Sequence, residues 1–585
     1  MQVTEELLDT RLHYRVGSPM LRTLPLSTAR FEGFAGWFGL WAPITKVLRE
    51  EHVHVNRFGA HPVRRFRETE NEDDIPISVL VESDATMPGQ YTRWVNAVRR
   101  IRRLLLDSGF DMAIEIIDAL AATEVKPEII KWDDREIIET WEKLQSQVIQ
   151  RLQPSNWLAI DILYSLIGDP QNPTRNPTIF ISASDADEDI WFLDKVPSIY
   201  DTVGTFFRVE VRQLPSLLST LGSDDLEPYP ETTSYQDTVE MGASIGLEGQ
   251  RRSATLGMGI KLQNSEGHDL GTFGLTTHHV IVHGDMTSWK VGEAYKPDHR
   301  LLKNGTLTSV SPSDSEHRKV TQFWQHQLQL FQAGDLQHDG FYRSMMRKSE
   351  NKVETKRFCQ EALIRNASFP VKFFQTNPSR LLGVVYASSG FRKSKNPGCS
   401  EGLDGDLDWA LNWALIRLQS PRNASNHVLA DRPKLRLHHT CEVKSYKHLL
   451  PSQNYDVVKI GSGTHWTTGK VSAIPSVLNY RNCGPSSVPV GSKEDKLDGI
   501  MFAFGIRSDR DLIGFIESRD TGSVVLLNRN GNELGASAVG LAFGANDATS
   551  MAYMTPIAHV FGDIEKVTGG KIVGMRDGGM AEVDQ

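Results

Sequence analysis

The sequence predicts a multidomain α+β protein: an N-terminal α/β or α+β domain over residues 70–221, then a β-rich region over 243–572 broken by a helical insertion. Three observations carry this expectation. The 585 residues exceed what one core organises and correspond to about three or four domains of roughly 150 residues. A strand, helix, strand pattern lies near residue 80. Beyond an acidic stretch at 222–237, the chain turns to short, glycine-rich alternating segments.

Residues 1–70 are an N-terminal segment without assigned elements. ISVLVES at 77–83 is an apolar run of strand type, and Trp94, Val98, Ile101 and Leu105 recur at helical spacing. MAIEII at 112–117 alternates like a strand, which completes a β-α-β unit. VESDA at 81–85 has an echo in SASDA at 182–186, each closing an apolar run, and RVEVRQL at 208–214 is again strand-like. The echo suggests a possible internal duplication, although Pro197 interrupts the second helix. Between the copies, Ile138, Trp141, Leu144, Val148 and Leu152 mark an amphipathic helix. The Arg-rich stretch RRIRRLLL at 99–106 is read as one solvated helix face, with binding of an acidic partner as the alternative.

GSDDLEPYPETTSYQD has little to bury and opens a linker over 222–242. ATLGMGIKL at 254–262 and GTFGLTTHHVIV at 271–282 then predict a β-barrel with frequent turns. HRKVTQFWQHQLQLFQ at 317–332 and RSMMRKSENKVETKRFCQEALIRN at 343–366 are helical, so residues from about 286 to 380 are read as an insertion. Barrel-like segments resume at LLGVVYASS, 381–389, and residues 573–585 form a tail.

Composition removes several function classes. With 64 basic and 73 acidic residues the net charge is -9, which gives no electrostatic case for nucleic acid. The start of the chain lacks the apolar core of a secretory signal, and no run is long enough to span a membrane. The four cysteines are widely spaced without a CxxC pair, so no disulfide framework or zinc site is indicated, no cofactor is expected, and a cytoplasmic location is the simplest reading. The triplets at Asn304, Asn366 and Asn423 then read as chance matches to a glycosylation pattern.

Three short passages bear on chemistry: LTTHHVIV at 275–282, LDWAL at 407–411 and RDTGS at 519–523. In this order they resemble the motifs around the base, orienter and nucleophile of trypsin-like serine peptidases of the chymotrypsin fold (PA clan). VVKIGSGTHWTTGKVSAI at 457–474 is similar to the Lys-x-Gly-x-x-Thr-x-x-Thr-x-Gly stretch before the nucleophile in many members. LGASAVGLAFGAN and AYMTPIAHVFGDI, within 534–564, resemble the last strands and closing helix. The resemblance spans roughly residues 243–570 and implies a chymotrypsin-like double β-barrel acting on polypeptides. It places His279 as base, Asp408 as orienter and Thr521 as nucleophile, with Arg519, Asp520 and Thr521 around the oxyanion hole.

Competitors are visible at each position. His278 and His283 flank His279 in an HHxxxH pattern, but neighbouring strand side chains point to opposite faces, so no metal site is expected. Asp404 and Asp406 rival Asp408, and the repeated WAL phrase makes Asn412 a register competitor that would leave the histidine tautomer poorly fixed. Ser523 reads as structural. Phe515, six residues before Thr521, does not support a preference for Lys or Arg. GASIG at 242–246 lacks the strand and helix that a hydrolase elbow requires, and GSGTHW at 461–466 is too short for a nucleotide fingerprint.

The nucleophile loop departs from the family pattern. Threonine keeps the hydroxyl but adds a methyl that stiffens χ1, and Arg519 stands where glycine would allow φ > 0. The expected function is therefore a peptidase homologue with weakened or lost activity. The alternatives are an active intracellular endopeptidase using Thr521 and a pseudopeptidase that binds a protein partner.

Overall fold

The computed structural model describes residues 8–580 apart from 32, 35, 68–69, 123–126, 218–234, 283–291, 304–306, 377, 395–406, 430–434, 436, 438–439, 451–452, 481–498, 511–512 and 530–534. Most of the expected linker thus lies outside the described residues, as do His283, Asp404 and Asp406. The chain is mixed α+β. No helix among the described residues is long and apolar enough to cross a membrane.

The N-terminal region is organised from residue 9 rather than from 70. One six-stranded sheet runs in the order Asp9–Leu12, Arg15–Ser18, Ala113–Asp118, Ile77–Ser83, Val55–Phe66, Ser27–Arg30. Its helices are Trp37–Glu50 and Gln90–Asp107. The second buries Trp94, Ala97, Val98, Ile101 and Leu105, the i, i+3, i+4 stripe that packs on the sheet. Its arginines are not all solvated: Arg102 is buried and donates to the Met112 carbonyl (2.7 Å), while Arg100 reaches Glu50 and Glu51.

The same order of elements then recurs. Strand Glu128–Ile129, helix Arg135–Arg151, strands Trp157–Asp169 and Asn172–Ala183, helix Val196–Val203 and strand Arg208–Gln213 follow the succession seen from Ser27 to Asp118. In both sets the two central strands pair antiparallel and the last joins in parallel. VESDA and SASDA close the corresponding strands. Pro197 does not break its helix: the helical run is continuous over residues 189–203, and the proline's missing N–H falls just after the π-helical turn Trp191–Lys195.

The first half of the β-rich region closes into a six-membered antiparallel ring. Ser244–Leu247 pairs with Thr308–Val310, followed by Leu381–Ser388, Ala414–Leu418, Asp269–Thr276 and Met258–Gln263. Ala254–Thr255, on the same run of chain as Met258–Gln263, returns to Ser244–Leu247 and shuts the ring. A second ring follows the circuit Asp456–Gly461, His465–Val471, Ile500–Ser508, Met551–Pro556, Gly535–Asn546, Val524–Leu527 and back.

The helical insertion is narrower than expected. Thr308–Val310 belongs to the first ring, and the helices Asp314–Ala333, Gly340–Lys348 and Lys352–Gln375 hang between it and Leu381–Ser388. The helix expected over 343–366 is divided because Asn351 starts a new one, its side chain accepting from the Glu354 amide (3.3 Å). The expected tail is also partly structured: Lys571–Val573 pairs with Met258–Gln263, and Arg576–Met580 pairs with Thr440–His448.

Strand Ser476–Asn479 joins the second N-terminal unit to the second ring, pairing with Trp157–Asp169 on one side and Ile500–Ser508 on the other. A buried carboxylate pins this joint. Asp161 accepts from Ser476 Oγ (2.6 Å), Asn546 Nδ2 (2.9 Å), Thr549 Oγ1 (2.8 Å) and Tyr553 Oη (2.9 Å). Burial raises its pKa and these donors oppose the rise. Asp161→Ala strands several buried donors at about 1–3 kcal/mol each before relaxation. The expected result is a loss of about 3–5 kcal/mol in chemical denaturation; a loss below about 1 kcal/mol would show that the joint does not depend on this carboxylate.

Candidate functional site between the two rings

His279 lies on the helical turn His278–Ile281 that follows strand Asp269–Thr276. Asn412 occupies the short break between Trp409–Leu411 and Ala414–Leu418. Both come from the first ring side, whereas Thr521 stands in the turn that enters Val524–Leu527 of the second. Nε2 of His279 is 3.2 Å from Thr521 Oγ1, so two of the three expected site residues meet.

Asp408 is not the third. Its carboxylate is 2.8 Å from Lys393 Nζ, and its carbonyl accepts from the Phe502 amide (2.8 Å). The residue against the histidine is Asn412, 1 % exposed, with Nδ2 3.1 Å from His279 Nδ1. The repeated WAL phrase offers two registers, and the break after the first copy, rather than its start, faces His279. His278 turns away, its Nδ1 2.8 Å from Ser388 Oγ and its ring stacked on Tyr295. Among the described residues no His/Cys/Asp/Glu group could hold a metal.

The Asn412 amide settles which ring nitrogen carries the proton. Its Oδ1 accepts from the backbone N–H of His279 (3.1 Å), which leaves only the amide nitrogen to face Nδ1. Nδ1 must then accept, so the neutral ring carries its proton on Nε2 and offers an N–H to Thr521. A general base needs a lone pair there instead. Burial also lowers the ring's pKa to about 4. The Asn412 contact would favour the imidazolium only through its oxygen, and that oxygen is committed to the backbone.

The loop that carries Thr521 is held by the Lys-x-Gly-x-x-Thr-x-x-Thr-x-Gly stretch, residue by residue. Lys459 Nζ is 2.8 Å from Asp520 Oδ2, both side chains fully buried. Asp520 Oδ1 accepts from the amides of Gly463 (2.7 Å) and Thr464 (3.0 Å), and Oδ2 from Thr464 Oγ1 (2.6 Å) and the Glu517 amide (3.0 Å). A Cβ on Gly461 would lie 2.4 Å from Asp520 Oδ1. Thr467 Oγ1 donates to the Phe515 carbonyl (2.8 Å), and a Cβ on Gly469 would lie 2.8 Å from the Phe515 ring. Burial alone would raise the Asp520 carboxyl, but Lys459 and these donors hold it below the usual range.

The expected oxyanion residues separate into different roles. Asp520 donates its amide to the Glu517 carbonyl (2.9 Å) and so does not serve as a third donor. The amides of Arg519 and Thr521 have no acceptor among the described residues. Arg519 does not adopt positive φ, so its Cβ carries no penalty there; the glycine requirement falls on Gly522, with φ 94° and a hypothetical Cβ 2.5 Å from the Thr255 carbonyl. Ser523 Oγ donates to the Asp520 carbonyl (2.6 Å), a bond within the loop. Thr521 itself is only 1 % exposed.

Sequence reasoning found Lys459 and Thr464 as letters of a motif but not as partners of Asp520, because their contact joins positions far apart in the chain. No family model matches the chain, and no curated protein does. Among solved structures the chain has a weak likeness to one described as "A glutamic acid specific serine protease utilizes a novel histidine triad in substrate binding". The two share 13% identity over 56% of this chain and 97% of that one, at a TM-score of 0.25.

Proposed function

We propose that residues 243–572 are a chymotrypsin-like double β-barrel and that the protein is a trypsin-like serine peptidase homologue whose proteolytic chemistry is weakened or lost. The observation that carries this reading is the Asn412 amide on His279 Nδ1, which puts the ring proton on the nitrogen facing Thr521. The hydroxyl then has a donor beside it where activation needs an acceptor. Arg519 and Thr521 retain amides for an oxyanion and Asp520 keeps its buried partner, so the loop is built and the proton path is reversed. Such a barrel serves as a binding or regulatory module for a polypeptide.

The test is reaction of the full chain with a fluorophosphonate followed by mass spectrometry. No adduct is expected on Thr521 in the wild type. An adduct lost in Thr521→Ala would instead establish the active threonine endopeptidase, the reading favoured by the 3.2 Å contact taken alone.

A further inference from the structure

A cavity of about 350 Å³ lies at the seam of the two N-terminal units, remote in sequence from the His279 site. Leu12 and Leu24 line it from the first unit, and Phe192, Val196, Pro197 and Val211 from the second. This size is at the low end of the range of about 300–1,000 Å³ typical of small-molecule sites. Its walls are mostly apolar, and the polar residues among them are Asp9, Arg11, Arg15, Thr23 and Tyr200.

This polar set and its partners are rich in donors. Asp9 holds Arg11 through Nε (2.8 Å) and Nη2 (2.5 Å), and the Arg11 guanidinium lies 3.7 Å from the centre of the Phe192 ring. Arg15 donates through Nε to Glu115 (2.7 Å) and through Nη1 to the Arg22 carbonyl (2.7 Å). Glu115 also serves Arg65, with both of its oxygens 3.2 Å from that guanidinium. Three guanidiniums thus face two carboxylates; Asp9, Arg15, Arg65 and Glu115 are buried, and Arg11 is partly exposed. Arg11 Nη1 and Arg15 Nη2 have no acceptor among the described residues, while Tyr200 Oη, also in the lining, accepts from the Val209 amide (3.1 Å) and keeps its own proton to give.

We infer that this seam binds a small amphipathic monocarboxylate, its carboxylate at Arg11, Arg15 and Tyr200 and its apolar body between Leu12 and Val196. An anion there balances the third guanidinium, and the planar guanidinium fork suits a carboxylate. A ligand so placed touches both units and stabilises their junction by mass action.

Calorimetric titration of the full chain with 4-phenylbutyrate, 4-phenylbutanol and 4-phenylbutylamine tests this. The carboxylate should bind, the alcohol about tenfold more weakly or worse, and the amine not at all. Arg11→Gln should weaken the carboxylate about tenfold, and Val196→Trp should abolish binding with the circular dichroism unchanged. If Val196→Trp fails to fold, a diazirine analogue on the wild type locates the site by its adducts within residues 9–24 and 192–211. The inference is overturned by no heat at millimolar carboxylate, by equal binding of the alcohol, or by adducts confined to other segments.

Discussion

Replacing Asn412 by aspartate together with Thr521 by serine is expected to turn on acyl-transfer chemistry. A carboxylate at position 412 can accept from the His279 backbone N–H with one oxygen and from Nδ1–H with the other, which moves the Nε2 lone pair toward residue 521. The reverse exchange, amide for carboxylate, costs a serine peptidase about 10⁴ in kcat through the wrong tautomer. Asn412→Asp should therefore raise hydrolysis of an activated ester by up to about 10⁴-fold, further with Thr521→Ser, which removes the methyl. Thr521→Ser alone should change little, because its hydroxyl still meets an N–H.

The pH dependence separates the two states. Wild-type His279, lowered to about 4 by burial, is expected to stay neutral between pH 5 and 8 when followed by ¹³C NMR. In the Asn412→Asp variant the neighbouring charge favours the imidazolium and raises the folded pKa, so the rate should climb with pH as the ring deprotonates. A folded double variant that gains neither labelling nor hydrolysis would show that the tautomer is not what blocks the site.

Lys459→Met is expected to cost about 3–5 kcal/mol, since it leaves the Asp520 carboxylate buried without its cation. Adding Asp520→Asn should recover part of this, because the amide oxygen still accepts from Gly463 and Thr464 while no charge remains. The sign of the pH effect follows from Asp520, whose folded pKa lies below the ordinary value of about 3.9. Its contribution is present above that unfolded value and is lost as pH falls through the folded one. Chemical denaturation from pH 7 to 3 should therefore flatten in the Lys459→Met, Asp520→Asn variant. An equal slope in both proteins would remove Asp520 from the acid response.

Much of the architecture was legible locally. The stripe of Trp94, Val98, Ile101 and Leu105, the alternation in RVEVRQL and the glycine-rich strands each express a period that a single segment carries. The four strands between residues 9 and 66 were not legible, since three of them are only four residues long and the fourth pairs only with strands set by the tertiary fold. Helix limits also depended on caps such as Asn351, whose effect competes with a continuous helical pattern.

For the site, the sequence by itself determined the order His279, Asn412 or Asp408, Thr521 and the letters of the Lys459 stretch. Only the tertiary structure decided between the two WAL registers, because Asp408 and Asn412 flank the short strand Trp409–Leu411 and nothing local says which faces the histidine. It likewise decided that Lys459 neutralises Asp520 and that the glycine requirement belongs to Gly522 rather than position 519. These are contacts across separate strands of two rings, and local preference carries no information about which side chain a distant strand will present.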